Sequence, residues 1–209
     1  MNPLTVKRND YLKNKKNSTI YTPTGVSQFL YDILRPTVRS QSTVSDLRYT
    51  GIIFDPAIGS GRLTDPWFMS GSYIVGCDIE DKRATTQMFY KGKFEDSIFP
   101  FEYYPDLVLM NPPFNGCQGR RLYNEVFLEH VFKLFGVNMP VVMFSPMGFR
   151  LNQRKKSKRW RWLRDCGANI TSIISLPLDI FEGVEFHQEI LIFNVRGLNA
   201  HYFLPERYL

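Results

Sequence analysis

Asp106-Leu107-Val108-Leu109-Met110-Asn111-Pro112-Pro113-Phe114 sets four apolar residues between an acid and a pair of prolines. A short, uninterrupted apolar run of this kind has the form of a strand covered on both faces, as in a parallel sheet. Each proline lacks a backbone N–H, so the ladder stops and the chain leaves the sheet at Asn111. In open parallel sheets ligands bind outside the carboxyl ends of the strands. Asn111, Pro112, Pro113 and Phe114 are therefore expected to face a crevice rather than the core.

Upstream, Gly51–Asp55 reads as a strand and runs into the turn Pro56-Ala57-Ile58-Gly59-Ser60-Gly61, with a short helix expected towards Met69. Tyr73–Cys77 is the next strand, closed by Asp78, followed by a helix around Arg83–Tyr90 and a weak strand near Phe94. Downstream, Leu122 to Phe135 repeats at helical spacing, and Val141–Phe144, Ile170–Leu176 and Ile190–Val195 supply three more strands. Near the start, Val26, Phe29, Leu30, Ile33 and Leu34 mark a helix with Thr24 as its N-cap, expected to end at Pro36, and Arg39 to Arg48 reads as a linker. Strands alternating with helices predict a doubly wound α/β sandwich.

Length and composition favour one domain. The chain has 209 residues, 44% of them hydrophobic, enough for a single sizeable core. Residues 1–19 are basic with few apolar anchors and are expected to form a flexible arm ahead of a folded unit spanning 20–209. No apolar run reaches the length of a membrane span and the first residues lack an apolar signal region, so a soluble, cytoplasmic protein is expected. Cys77, Cys117 and Cys166 are odd in number and widely spaced, which suits a reducing compartment and implies neither a disulfide framework nor a zinc site. His130, His187 and His201 share no metal or triad spacing. Ser60 and Ser145 lack the flanking pattern of a nucleophile elbow.

Positive charge is concentrated. Of 26 basic residues, eight (Arg150, Arg154, Lys155, Lys156, Lys158, Arg159, Arg161 and Arg164) fall within fifteen positions, and the remaining 18 are outnumbered by 20 acids. Such a run is either a solvated helix face or a surface for a polyanion; nucleic acid is the expected partner.

Gly59 and Gly61 allow a sharp turn and close backbone approach to a ligand. Arg62-Leu63 stands where a phosphate-binding loop needs Lys followed by Ser or Thr. Thr64 replaces the third glycine of the dinucleotide fingerprint, and Asp55 would oppose a pyrophosphate. A carboxylate here suits a cofactor with a cationic end, such as the ammonium and sulfonium of S-adenosylmethionine. Asp78 is placed to accept ribose hydroxyls, Ile79 to cover one adenine face and Asp96 to accept from the adenine amino group. A loop end or a helix cap is the plainer alternative for either acid.

Together, Asp55-Pro56-Ala57-Ile58-Gly59-Ser60-Gly61, Asn111-Pro112-Pro113-Phe114 and Tyr21-Thr22-Pro23 resemble the amino-group DNA methyltransferases, most nearly the adenine-specific modification subunits of type I restriction systems. The resemblance runs from about Ile20 to Val195. It implies a Rossmann-like fold whose mostly parallel, seven-stranded sheet has helices on both faces, binding S-adenosylmethionine. By that resemblance Tyr21, Thr22 and Pro23 close over the methionine end, Asp55, Pro56, Gly59 and Gly61 hold it, and Asp78, Ile79, Asp96 and Phe99 hold the adenosine. Asn111, Pro112 and Phe114 take the target base, with Phe181 or Phe186 as a second stacking face or as core. The implied partner is DNA. RNA bases or a protein glutamine are alternatives with the same chemistry, and a non-catalytic subunit that only grips nucleic acid is another. No separate target-recognition domain follows the final strand, so a specificity or recognition subunit is a further expected partner.

Overall fold

Strands Ile52–Asp55 (β1), Tyr73–Asp78 (β2), Met88–Lys91 (β3), Leu107–Met110 (β4), Val141–Pro146 (β5), Ile170–Ser175 (β6), Gln188–Phe193 (β7) and His201–Phe203 (β8) form one sheet in the order β3-β2-β1-β4-β5-β7-β6-β8. The computed structural model describes residues 21–41, 50–96, 104–113, 121–151, 154–181 and 186–209. Expectations for the arm 1–19, for most of the 39–48 linker, for Phe99, for Phe114 and the loop after it, and for Cys117 fall outside them. The sheet is parallel from β3 through β5. β7 then runs antiparallel to both β5 and β6, and β8 is parallel to β6. Eight described strands replace the expected seven.

Alternation along the strands sorts the core into two layers. Ile53, Ile74, Leu107, Leu109, Val142 and Phe144 point to one side, where helix α1 (Thr24–Gln41) presents Val26, Phe29, Leu30, Leu34 and Val38, and α2 (Asp65–Met69) presents Trp67. Phe54, Val75, Val108, Met110 and Met143 point to the other, against Phe127, Leu128 and Val131 of α3 (Tyr123–Phe135) and Trp162 and Leu163 of α4 (Lys158–Asp165). Helices thus cover both faces, as in doubly wound folds.

Three expectations are corrected. Helix α1 does not stop at Pro36: that residue is exposed, and burial of Val38 one turn beyond Leu34 carries the helix past it. No helix forms over Arg83–Tyr90. Arg83 is in the left-handed region (φ 58°), the Gln87 N–H donates to Ile74 O at 3.1 Å, and Met88–Lys91 pairs with β2 as the sheet's edge. The segment at Phe94 is a single 3-10 turn, Phe94–Asp96, in which the buried Phe94 ring packs at a tilt against Phe127 at 5.1 Å and edge-on to His130 at 4.7 Å.

Candidate active site

Strand order reverses at β1. The chain steps outward through β2 and β3, then returns to lay β4 on the other side of β1. Such a switch point opens a crevice at the carboxyl ends of the two central strands, where Asp55 and Asn111 lie. Both alternate onto the α1 face, with Ile53 and with Leu107 and Leu109 respectively.

The Gly-rich turn is held from below. Ile58 N–H donates to Cys77 O at 3.0 Å, and Gly59 N–H to Asp78 Oδ2 at 2.8 Å. Gly59 has φ +55°, a conformation that suits glycine. Ile58 lies directly on Gly76: a Cβ there would come within 2.7 Å of Ile58 Cδ1. Gly76 was not anticipated as part of the site, because its role is to leave room for a residue on another strand's turn. Asp78 Oδ1 also accepts from Glu80 N–H at 3.1 Å, so this carboxylate clamps backbone as well as facing the crevice. An ionised carboxylate has about four acceptor positions, so capacity remains for ribose hydroxyls.

Asp55 is 1% exposed and accepts one hydrogen bond, from Ala57 N–H at 2.9 Å. Burial pushes its carboxyl up to about 8, Ala57 N–H opposes this, and the Asp78 charge adds to it. With a single backbone donor found for it, this carboxyl keeps acceptor positions for a ligand's N–H groups. Among the described residues two further buried polar atoms at the crevice lack a partner, Ser60 Oγ in the turn and Asn111 Oδ1. Asn111 Nδ2 donates to Thr22 Oγ1 at 3.2 Å. Pro112 is buried and Pro113 exposed. Ser60 escaped notice in the sequence except as a rejected nucleophile, although it sits between the two glycines.

Tyr21 leans over the Gly-rich turn. Its ring edge is 4.0 Å from the position a Gly59 Cβ would take, and Arg62 and Lys82 stand over its face at 5.1 and 6.0 Å from the centroid. Pro23 O accepts from Ser27 N–H at 3.2 Å and anchors the segment to the first turn of α1. Pro56 is buried, Ile79 is 61% exposed beside Asp78, and Asp96 is exposed at the end of its 3-10 turn. The donor set fits S-adenosylmethionine: a buried acid for its ammonium, unpaired polar atoms beside it, and an exposed apolar side chain next to Asp78 for the adenine. Cys77 offers no nucleophile, since burial foremost and then Asp78, Asp55 and Glu95 push its thiol up to about 12. Among the described residues no cluster could hold a metal.

The basic run divides. Arg150 makes a bidentate pair with the buried Glu189, at 3.2 and 2.8 Å. Arg159 donates to Glu125 at 2.9 Å with both side chains largely buried, and lies over the Phe149 ring at 5.4 Å. Arg164 pairs with Asp165. Arg150 and Arg159 therefore hold the fold together instead of standing free for phosphates. Arg154, Lys155, Lys156, Lys158 and Arg161 are exposed. Phe181 is likewise core: it is 2% exposed and packs edge-on to Phe144 at 5.9 Å. Phe186 is half-buried on the α1 side.

No protein-family model matches the chain, and no curated protein matches it in sequence. Solved structures do. The methyltransferase subunit of a type I restriction-modification system from Streptococcus thermophilus matches with a TM-score of 0.63 at 17% identity over 88% of this chain and 47% of its own, so this chain spans about half its length. A protein from Listeria monocytogenes described as a class I S-adenosylmethionine-dependent methyltransferase matches at 0.61 and 13% identity, over 87% of this chain and 64% of that one. One from Pyrococcus horikoshii described as an RNA methyltransferase matches at 0.54 and 16% identity, over 88% and 90%. The resemblance to type I modification subunits thus extends from motifs to architecture, and the chain has the fold of the class I S-adenosylmethionine-dependent methyltransferases.

Proposed function

We propose that this chain transfers the methyl group of S-adenosylmethionine to the N6 amino group of adenine in DNA. The observation that carries this reading is Asn111 Oδ1, a buried acceptor without a partner at the end of β4, on the same side of the sheet as Asp55. The adenine amino nitrogen is a poor nucleophile because its lone pair is delocalised into the ring. Asn111 Oδ1 and the Pro112 carbonyl accept its two hydrogens and turn the lone pair out of the ring plane. The bound cofactor supplies a methyl group made electrophilic by its sulfonium. Asp55 takes the ammonium end, Asp78 the ribose and Ile79 the adenine face, under Tyr21. The amino group of a duplex base is reached by flipping it out, and Phe114, next after the proline pair, supplies a stacking face with Phe186 as the second candidate.

Arg154, Lys155, Lys156, Lys158 and Arg161 anchor the phosphates, which carry no sequence information directly. Recognition of a particular sequence is assigned to a partner subunit, a reading supported by the similarity to a subunit of a type I system. RNA is the second reading. The Pyrococcus protein, described as an RNA methyltransferase, matches over 90% of its own length and so needs no additional domain to be accounted for. Labelled S-adenosylmethionine incubated with the chain and, separately, DNA, RNA or protein tests these readings. N6-methyladenine found in DNA by mass spectrometry is the expected outcome, whereas label confined to RNA or protein overturns the choice of substrate.

A further inference from the structure

Resting on the reading of Asn111 as an acceptor for the target amino group, we infer that Thr22 is a positioning residue. Its hydroxyl accepts from the Asn111 amide nitrogen and holds the side chain with the oxygen end free for the base. A primary amide has an oxygen that accepts and a nitrogen that donates twice, and the two ends are nearly the same size. A half-turn about the last side-chain bond exchanges them. With the oxygen towards the substrate, the amide accepts a proton from the amino group. Turned round, it sets N–H against N–H and the acceptor is lost.

The hold comes from another segment: Asn111 Nδ2 donates to Thr22 Oγ1 at 3.2 Å across 89 positions of sequence, while among the described residues Oδ1 stays buried and unpaired. Thr22 is itself well held. It is 4% exposed, its backbone is restricted by the following Pro23, and the Pro23 carbonyl accepts from both Ser27 N–H at 3.2 Å and Ser27 Oγ at 3.3 Å. Tyr21, immediately before it, covers the Gly-rich turn. One short segment therefore reaches the cofactor turn through Tyr21 and the base acceptor through Thr22. The family resemblance places Thr22 at the methionine end of the cofactor, and the two roles separate kinetically. A cofactor contact acts on cofactor affinity, whereas a positioning contact acts on transfer once both substrates are bound.

The test uses the full chain with Thr22→Val, which keeps the branched shape without the hydroxyl, and Thr22→Ser, which keeps the hydroxyl. Affinity for S-adenosylhomocysteine is measured by calorimetry and methyl transfer to adenine-containing DNA in single turnover at saturating cofactor. Thr22→Val is expected to slow transfer by about 10- to 100-fold, as for misplacement of a reacting group, with cofactor affinity within about threefold of the parent. Thr22→Ser restores the rate. Thr22→Ala carries the same expectations should the valine variant fail to fold. Unchanged transfer in Thr22→Val, a defect confined to cofactor affinity, or no rescue by serine each overturns the inference. If the parent chain methylates no nucleic acid, the functional reading falls. Exchange of the Asn111 side-chain amide protons by NMR then tests the hydrogen bond, with slow exchange in the parent and fast exchange in Thr22→Val expected, and equal exchange refuting it.

Discussion

Cofactor binding should depend steeply on pH through Asp55. The buried carboxyl, raised to about 8, is mostly protonated at neutral pH, and a cationic ligand must find it ionised. With binding confined to the ionised form, apparent affinity scales with its fraction: about 1% at pH 6, about 9% at pH 7 and half at pH 8. The dissociation constant of S-adenosylhomocysteine is therefore expected to tighten about tenfold from pH 6 to pH 7 and about fivefold more to pH 8, then level off. Calorimetry in two buffers of different ionisation heat should count about 0.9 proton released per ligand at pH 7.

The sign for folding runs the other way. The folded pKa exceeds the ordinary 3.8, so between about 4 and 8 the folded chain holds a proton that the unfolded chain has given up. Stability without ligand should therefore fall as pH rises across that window. Asp55→Asn should lose both the proton release and this slope. A flat affinity from pH 6 to 8.5, with no proton released, would refute the assignment of Asp55 to the cationic end of the cofactor.

Asn111→Ala should keep cofactor affinity and lose about 10²- to 10³-fold in methyl transfer, as for removal of a transition-state hydrogen-bond partner; calorimetry and single-turnover assays separate the two. Replacing Lys155, Lys156 and Lys158 with Gln should lower the slope of log affinity for duplex DNA against log salt by about 0.9 for each phosphate no longer neutralised, and an unchanged slope would return these residues to a solvated face. Arg159→Gln should instead act on stability, by about 1–3 kcal/mol in chemical denaturation, because Glu125 is buried and among the described residues keeps only Arg121 as a partner at 3.5 Å. Gly76→Ala should cost about 1–3 kcal/mol by forcing a methyl against Ile58, and should weaken cofactor binding by lifting the turn.

The central strands could be read from the chain because both their faces are buried, which leaves unbroken apolar runs such as Ile52-Ile53-Phe54 and Leu107 to Met110. Edge strands carry no such mark. β3 is only partly covered and β8 has two of its three residues exposed, including Phe203 at 75%, so neither shows the continuity or alternation by which a strand is recognised. Arg83–Tyr90 holds no continuous apolar run to mark a strand, and the open edge of β2 decided the outcome. Pro36 misled for a related reason. Its local penalty is real, but the burial of Val38 on the opposite side of the helix outweighs it.

Charge is where local reading fails most instructively, since a count of cations in a window says nothing of the anions the fold brings to them. Glu189 meets Arg150 from 39 positions away, and Glu125 meets Arg159 from 34. Both acids are buried, so the two arginines are fixed where they neutralise them, and the exposed lysines between them keep their charge for solvent or a polyanion. The same logic makes the crevice. Asp55 and Asn111 come to neighbouring strand ends because β4 returns to pair with β1, and the burial that results raises the Asp55 carboxyl while leaving Asn111 Oδ1 unpaired. Each motif names a residue type suited to a task. The topology supplies the low-polarity surroundings in which a carboxylate prefers a cation and an amide oxygen lacks a donor, and those two unmet demands are what a cationic methyl donor and an amino-bearing base would satisfy.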